Sequence, residues 1–410
     1  MSIAKRIYKI KTSPTLQITT KARAMIAKGI DVIDLSVGEP DFPSPQNVKK
    51  AGKKAIDEDF TKYTPVDGIS ELKKAIIKRL KEDHGLEYKP SQIIVCNGAK
   101  GAFYHLILAL INEGDEVIIP SPYWVTYPEV VSLAEGKPIF IDAKEENNFL
   151  ITPEQLKRAI TSRTKALVLN NPCNPTGAVY SRAELEKIAD IVLEKNIYVI
   201  SDEIYEKLIY DDFKFCSFAS LGEEVKKKTI LINGVSKTYS MTGWRIGYAA
   251  GPAEIIEGMK RIQSHSSNPS SISQKASIEA LSGSQHEVLQ RVKEFQNRRN
   301  YLLTRLQTVP GISFVKPKGA FYVFPNVSSY YDKEFNGIRI RNSIELSDYF
   351  LKYANVAVVP GNSFGADNYI RISYATSMEN LEKGIDRIIN ALSKLKTVPK
   401  TKYFALNNKN

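Results

Sequence analysis

Residues 229–251 read TILINGVSKTYSMTGWRIGYAAG. The stretch opens as a short apolar run, Thr229 to Ile232, and the pair Asn233-Gly234 predicts a turn. Ser236 and Lys237 follow, Arg245 comes eight residues after the lysine, and a second apolar run begins at once, Ile246 to Ala250. A lysine at the edge of a sheet, dry enough to lose its proton, can form an imine with a carbonyl compound. A hydroxyl and a guanidinium beside it suit an anionic anchor such as a phosphate. Together they point to a pyridoxal phosphate site, with Lys237 as the Schiff-base residue and Ser236 and Arg245 on the phosphate. A lone lysine among 57 basic residues is more often a surface loop residue, so the remainder of the chain has to decide.

Reading outward, candidate strands fall at 93–96, 116–119, 138–141, 165–169, 198–201, 229–232 and 246–250. Between several of them lie helices with legible starts. Thr152-Pro153-Glu154-Gln155 offers an N-cap, a first-turn proline and a returning glutamine, and Ser181-Arg182-Ala183-Glu184 is a capping box. Alternating strands and helices imply a mostly parallel, seven-stranded sheet covered on both faces, the α/β class. Ligands of such sheets sit beyond the carboxyl ends of the strands. The residues just past those ends are polar, glycine-rich or aromatic: Asn97-Gly98-Ala99-Lys100, Ser121-Pro122-Tyr123-Trp124, NNPCNPTG at 170–177, Asp202-Glu203-Ile204-Tyr205, and Ser236-Lys237.

Each group has a chemical use. Gly98-Ala99-Lys100 opens a helix whose first N–H groups can hold a phosphate; taken alone it is equally an ordinary helix start. An indole at 124 can stack on a flat heteroaromatic ring, although by itself it reads as a core tryptophan. A carboxylate at 202, ending a buried strand, needs a partner. A protonated pyridine nitrogen is one, and a helix N-terminus is the alternative. Tyr205, three residues on, can reach the ring's phenolic oxygen, and so can Asn174, where Pro175 is a candidate for a cis peptide. Near the N-terminus, DVIDLSVGEPDFPSP at 31–45 is a strand running into a loop. Its Gly38 leaves room for a ligand, or the loop is a plain connector.

At 410 residues, with 43% apolar and 25% charged, the chain has the composition of an ordinary soluble globular protein. No apolar run reaches membrane-spanning length, and the N-terminus lacks a secretory pattern. Three cysteines without CxxC spacing favour reduced thiols in the cytoplasm and argue against structural zinc, so no metal is expected. The net charge of +12 is spread along the chain without an aromatic-interleaved basic block. It suits anionic small molecules better than nucleic acid. The expected organisation is an N-terminal arm (1–11), a small α+β domain (12–45 with 287–395), a large cofactor domain (46–286) and a basic flexible tail (396–410).

The motifs GEPDF (38–42), NPCNPTG (171–177), SDEIY (201–205), SKTYSMTGWRIGY (236–248) and YIRIS (369–373) resemble the fold type I pyridoxal-phosphate-dependent aminotransferases, class I. Within them they resemble the aspartate aminotransferase subgroup Ib. The likeness runs in order from about residue 10 to about 393. It implies that Lys237 carries pyridoxal 5'-phosphate and shuttles a proton. It further implies that Asp202 pairs with the ring nitrogen, that Asn174 and Tyr205 meet the phenolic oxygen, and that Trp124 stacks on the ring. Ser236, Arg245, Gly98, Ala99 and Lys100 would hold the phosphate, joined by Tyr63 from the neighbouring subunit of a homodimer. Arg371, helped by Gly38, Trp124 and Asn174, would clamp the substrate α-carboxylate, and Pro122 joins Pro175 as a cis candidate. In the better-known aspartate aminotransferases an arginine binds the distal carboxylate. The matching position here is Gln263, so Lys100, Ser13 and Thr15 would take that task. The activity implied is amino transfer between L-aspartate and 2-oxoglutarate, with prephenate or other partners as the alternative acceptors.

Overall fold

A computed structural model describes residues 3–10 and 14–397, excepting the side chains of 14–16. The chain divides into two compact units. The first comprises 1–11, 39–296 and 317–320; the second comprises 12–38, 297–316 and 321–410. The sequence suggested boundaries near 45 and 286. Instead the division falls inside the helix His286–Gln307, between Gln296 and Asn297. A helical periodicity running unbroken through that point leaves no composition shift to mark it.

Seven strands build the sheet of the first unit: β1 (Ile93–Asn97), β2 (Glu116–Ser121), β3 (Lys137–Asp142), β4 (Thr164–Asn170), β5 (Tyr198–Asp202), β6 (Thr229–Gly234) and β7 (Ile246–Ala250). Their order is β1-β7-β6-β5-β4-β2-β3. All neighbours are parallel except β7, which runs antiparallel to both β1 and β6. The expected turn at Asn233-Gly234 is absent. Both residues remain in β6, with Asn233 opposite Tyr248 and Gly234 opposite Gly247. The two strands come this close because Gly234 has no side chain: a Cβ there would stand 2.8 Å from the Ile246 carbonyl oxygen and 2.9 Å from Gly247 Cα. Lys237 accordingly follows the end of an interior strand, not one at the edge of the sheet.

Near-continuous apolar strands are what a sheet covered on both faces requires. Ile94, Cys96, Ile230 and Ile232 face a cluster containing Phe103 and Leu106 of α1 (Gly98–Leu110) and Tyr127 of α2 (Thr126–Leu133). Ile93, Val95 and Leu231 face the opposite cluster, with Leu72, Ile76 and Leu80 of the helix Ser70–His84 and Ala276 of the helix Ser271–Ser282. Each large aliphatic side chain so buried stabilises the fold by about 1.5–3 kcal/mol. Two helix starts form the reciprocal caps that their sequences predict. Thr152 caps α3 (Pro153–Ala159) with Gln155, and Ser181 caps α4 (Arg182–Lys195) with Glu184. Cis peptides precede Pro122 and Pro175, as expected, and also Pro172.

In the second unit, Tyr322–Val323, Ile370–Ser373 and Val359–Pro360 form a three-stranded antiparallel sheet. Ile33–Asp34 pairs in parallel with Val356–Ala357. The run 356–359, which reads as one strand, therefore serves two sheets. The helices Ser343–Ala354 and Met378–Ser393 belong to the same unit. Lys396–Thr397, read from sequence as the start of a loose tail, pair with Lys333 and Glu334. No helix among the described residues is long and apolar enough to cross a membrane.

Candidate active site

The carboxyl ends of β1, β4, β5 and β6 bring one set of side chains together in the first unit. Asp202 is the last residue of β5 and is 4% exposed. Its Oδ2 accepts a hydrogen bond from the Tyr127 hydroxyl at 2.6 Å, and its Oδ1 accepts one from the Ile204 N–H at 3.2 Å. Burial pushes the carboxyl up to about 6, against the pull of Tyr127, the Ile204 amide and the Lys237 ammonium. The field of Lys237 is thus felt at Asp202. Lys237 itself is half-buried, in the turn that follows β6.

Asn170 ties the neighbouring loop to the same strand end. Its amide donates to the Asp202 carbonyl at 3.1 Å, and its side-chain oxygen accepts from the Asn174 N–H at 2.7 Å. Asn174 and Tyr205 are both buried. A carboxylate, an amine, an amide and a phenol are therefore gathered over adjoining strand ends.

A second group of residues lies where β1 passes into α1. Asn97 makes no side-chain cap, leaving the first N–H groups of the helix without a capping oxygen. Gly98 has φ +77°, and a Cβ there would stand 2.3 Å from Arg245 Nη2. Only glycine serves at that point. Arg245 adopts a left-handed conformation (φ 59°), which turns its guanidinium back toward β1. Nη1 donates to the Thr242 carbonyl at 2.9 Å, and Nη2 reaches the Asn97 carbonyl at 3.5 Å. Ser236 is buried, two residues past β6.

Lys100 and Trp124 meet directly, the ammonium lying 5.0 Å from the indole centroid. The lysine keeps contact with solvent, yet partial burial of its head, and then the charge of Arg245, lower its pKa. Trp124 also packs edge-on against Tyr127 at 5.3 Å. Tyr63 is 92% exposed. Gln263 is buried and donates to the Val95 carbonyl at 2.8 Å and to the Val66 carbonyl. Its amide is committed to the backbone.

Arg371 and Gly38 are in the second unit. Arg371 is 4% exposed, donates to the Ser36 carbonyl at 2.6 Å, and stacks over Tyr322 at 4.4 Å. A Cβ on Gly38 would lie 3.2 Å from the Tyr322 hydroxyl and 4.0 Å from Arg371 Nη2, so the glycine leaves that side of the guanidinium open. Of the other expected residues, Ser13 and the side chain of Thr15 lie outside the described residues. Sequence reading missed Tyr127. Its signal was the i, i+3 spacing from Trp124, which carries two aromatic groups to one end of α2.

A mixed sheet that gathers a buried carboxylate, an amine and an uncapped helix start at its strand ends has the α/β arrangement in which ligands bind beyond the carboxyl ends of the strands. Comparison with known proteins makes the class specific. The family model for aminotransferase class I and II matches residues 30–388. The chain is 52% identical over 387 residues to an aspartate aminotransferase of Bacillus sp. (strain YM-2), covering 94% of this chain and 98% of that protein. It is 47% identical over 389 residues to a probable aspartate/prephenate aminotransferase of Rickettsia conorii, covering 94% and 97%. The crystal structure of the aspartate aminotransferase from Rhizobium meliloti superposes with a TM-score of 0.93 at 42% identity, covering 97% of this chain and all of that one. The chain belongs to the class I and II aminotransferases.

Proposed function

We propose that this aminotransferase uses pyridoxal 5'-phosphate to move an amino group between L-aspartate and 2-oxoglutarate, as a cytoplasmic homodimer with shared sites. The observation that carries the reading is the buried Asp202 carboxylate, shifted up to about 6 by burial and held down by Lys237 and by two hydrogen bonds. Such a carboxylate calls for a cationic partner, and a pyridine nitrogen supplies one. The uncapped start of α1, with Arg245 folded back beside Gly98, fits a phosphate.

When bound, the cofactor supplies an electron sink for the bonds at the substrate Cα. The protein's own residues do the rest. Lys237 would hold the cofactor through its amine and, when that amine is free, would take and return the proton at the substrate Cα. Asp202 holds the proton on the ring nitrogen. Tyr205 and Asn174 would donate to the phenolic oxygen, and Trp124 would cover one ring face. Ser236, Arg245 and the N–H groups of Gly98, Ala99 and Lys100 anchor the phosphate, with Tyr63 of the second subunit. Arg371 takes the α-carboxylate by a two-point contact, with Gly38 leaving room. Lys100, with Ser13 and Thr15, is assigned to the distal carboxylate. The aspartate aminotransferases among the relatives support aspartate as donor, and the Rickettsia relative supports prephenate as a second acceptor.

The test is a half-reaction panel. Borohydride should fix the cofactor absorbance onto the wild-type chain and not onto Lys237→Ala. Aspartate and glutamate should convert the cofactor to its amine form faster than alanine or phenylalanine, with prephenate tried as acceptor afterwards. Normal turnover by Lys237→Ala, or a panel led by an aromatic amino acid, would overturn the assignment.

A further inference from the structure

Tyr127 has no role in the reading above, yet its hydroxyl stands 2.6 Å from Asp202 Oδ2. Tyr127 is 2% exposed and Asp202 is 4% exposed. The ring is wedged between Phe103 (centroids 4.9 Å apart) and Trp124 (5.3 Å), in an otherwise apolar cluster with Ile119 and Val168. That packing leaves the phenol few ways to turn. Asp202 is the one hydrogen-bond partner of the hydroxyl among the described residues.

The direction of this bond follows from the donor inventory. Burial, and then the neighbouring carboxylate, hold the phenol far above its usual range, so it keeps its hydrogen. A buried O–H needs an acceptor, and Asp202 is what it faces. Oδ1 is meanwhile met by the Ile204 N–H. Both carboxyl oxygens therefore face donors, an arrangement that suits the ionised form. The remaining titratable groups that act on Asp202 or on the phenol are Lys237 after β6, Cys173 after β4 and Tyr205 after β5. Only Lys237 brings a charge.

We propose that Tyr127 is a positioning residue for Asp202. Its hydroxyl fixes the rotation of the carboxylate and keeps it ionised, so that the remaining lone pairs are presented to a cationic ring nitrogen. The purpose given to Asp202 rests on the function proposed above; the coupling of the two residues does not. The start of α2 and the residues just before it would then serve the ring twice, Trp124 on its face and Tyr127 behind its carboxylate.

The test uses the full chain with Tyr127→Phe, which removes one oxygen and keeps the ring. In cofactor-free protein labelled with [4-13C]aspartate, with the Asp202 signal assigned by its loss in Asp202→Asn, the wild-type carboxyl should titrate near pH 6. In Tyr127→Phe its midpoint should rise by about one unit or more, the size expected for loss of a buried charge-assisted bond. For a rise of one unit, pyridoxal phosphate affinity of the variant should fall about threefold at pH 6.5 and recover toward wild type by pH 8.5, where the carboxyl is again ionised. In a double-mutant cycle with Asp202→Asn, removing the hydroxyl should cost almost nothing further. An unmoved carboxyl midpoint, an affinity loss equal at every pH, or additive losses in the cycle would each overturn the proposal. Wild-type protein that failed to bind the cofactor would sink the functional reading instead, and the carboxyl titration would still decide the role of Tyr127.

Discussion

Glu203, next to Asp202 in sequence, is fully buried and serves a different neighbourhood. Its Oε1 accepts from the hydroxyls of Ser201 and Ser217 and from the Phe218 N–H. Burial pushes it up to about 7; the charge of His84 pulls it down and Glu206 pushes it further up. Close by, His84 Nε2 lies 2.5 Å from Glu206, and Lys207 lies 2.7 Å from Asp83. His84 with Glu206 and Lys207 with Asp83 are thus paired, base against acid, whereas Glu203 Oε2 has no hydrogen-bond partner among the described residues. Because the folded state holds the Glu203 proton more tightly than the unfolded chain, its contribution is complete below about pH 4.5. That contribution is lost as the pH rises through about 7, amounting to roughly 3 kcal/mol. Glu203→Gln should therefore show a shallower fall in thermal midpoint between pH 5 and pH 8 than the wild type. Parallel curves would mean that the Glu203 proton is not linked to folding. Little of this was legible in the sequence. The SDEIY motif drew attention to Asp202 and Tyr205, whereas the partners of Glu203 and Glu206 come from Ser217 and His84, which no local pattern connects to them. Tyr127 escaped although its spacing from Trp124 was legible, because nothing in that spacing points to Asp202, 75 residues away.

At the scale of elements, what could be read locally was read. Strand runs and both capping boxes depend on neighbours in sequence, and they stand where the pattern put them. Strand direction does not depend on neighbours, and the Asn233-Gly234 pair suggested a turn where the chain instead continues as an antiparallel partner of β7. The glycines of this pair have a definite use. A Cβ on Gly247 would lie 2.2 Å from the Ala99 nitrogen and 2.4 Å from the Gly98 carbonyl carbon, at the first turn of α1. Backbone cannot yield as a side-chain tip can. Gly247→Ala should lower stability by about 1–3 kcal/mol or more, as overpacking does. It should also weaken binding of pyridoxal phosphate, because the helix start that supplies the N–H groups must shift. Thermal melting together with equilibrium dialysis checks both; a stable variant with unchanged affinity would contradict the strand–helix contact.

For the whole molecule, length and the order of motifs indicated two units. The sequence could not show that 317–320 returns to the first of them, because four residues carry no periodicity of their own. Tyr63 is the residue whose proposed task reaches beyond one chain, and its 92% exposure suits a group awaiting a partner. Sedimentation should give twice the mass of one chain. Tyr63→Ala should keep that mass while weakening pyridoxal phosphate about tenfold, the loss expected for one hydrogen bond to a charged group. A monomer of full activity would end the shared-site reading.

The antiparallel pairing of β6 with β7 also bears on the order of events as the protein forms. The segment 235–245 leaves the sheet after Gly234 and rejoins it at Ile246, with Gly234 and Gly247 directly opposite. A short excursion of this kind closes with little loss of chain entropy, and its ends can meet before remote segments have been recruited. Lys237 and Arg245 are brought in by this same local closure, which requires nothing from Arg371, more than a hundred residues further along the chain.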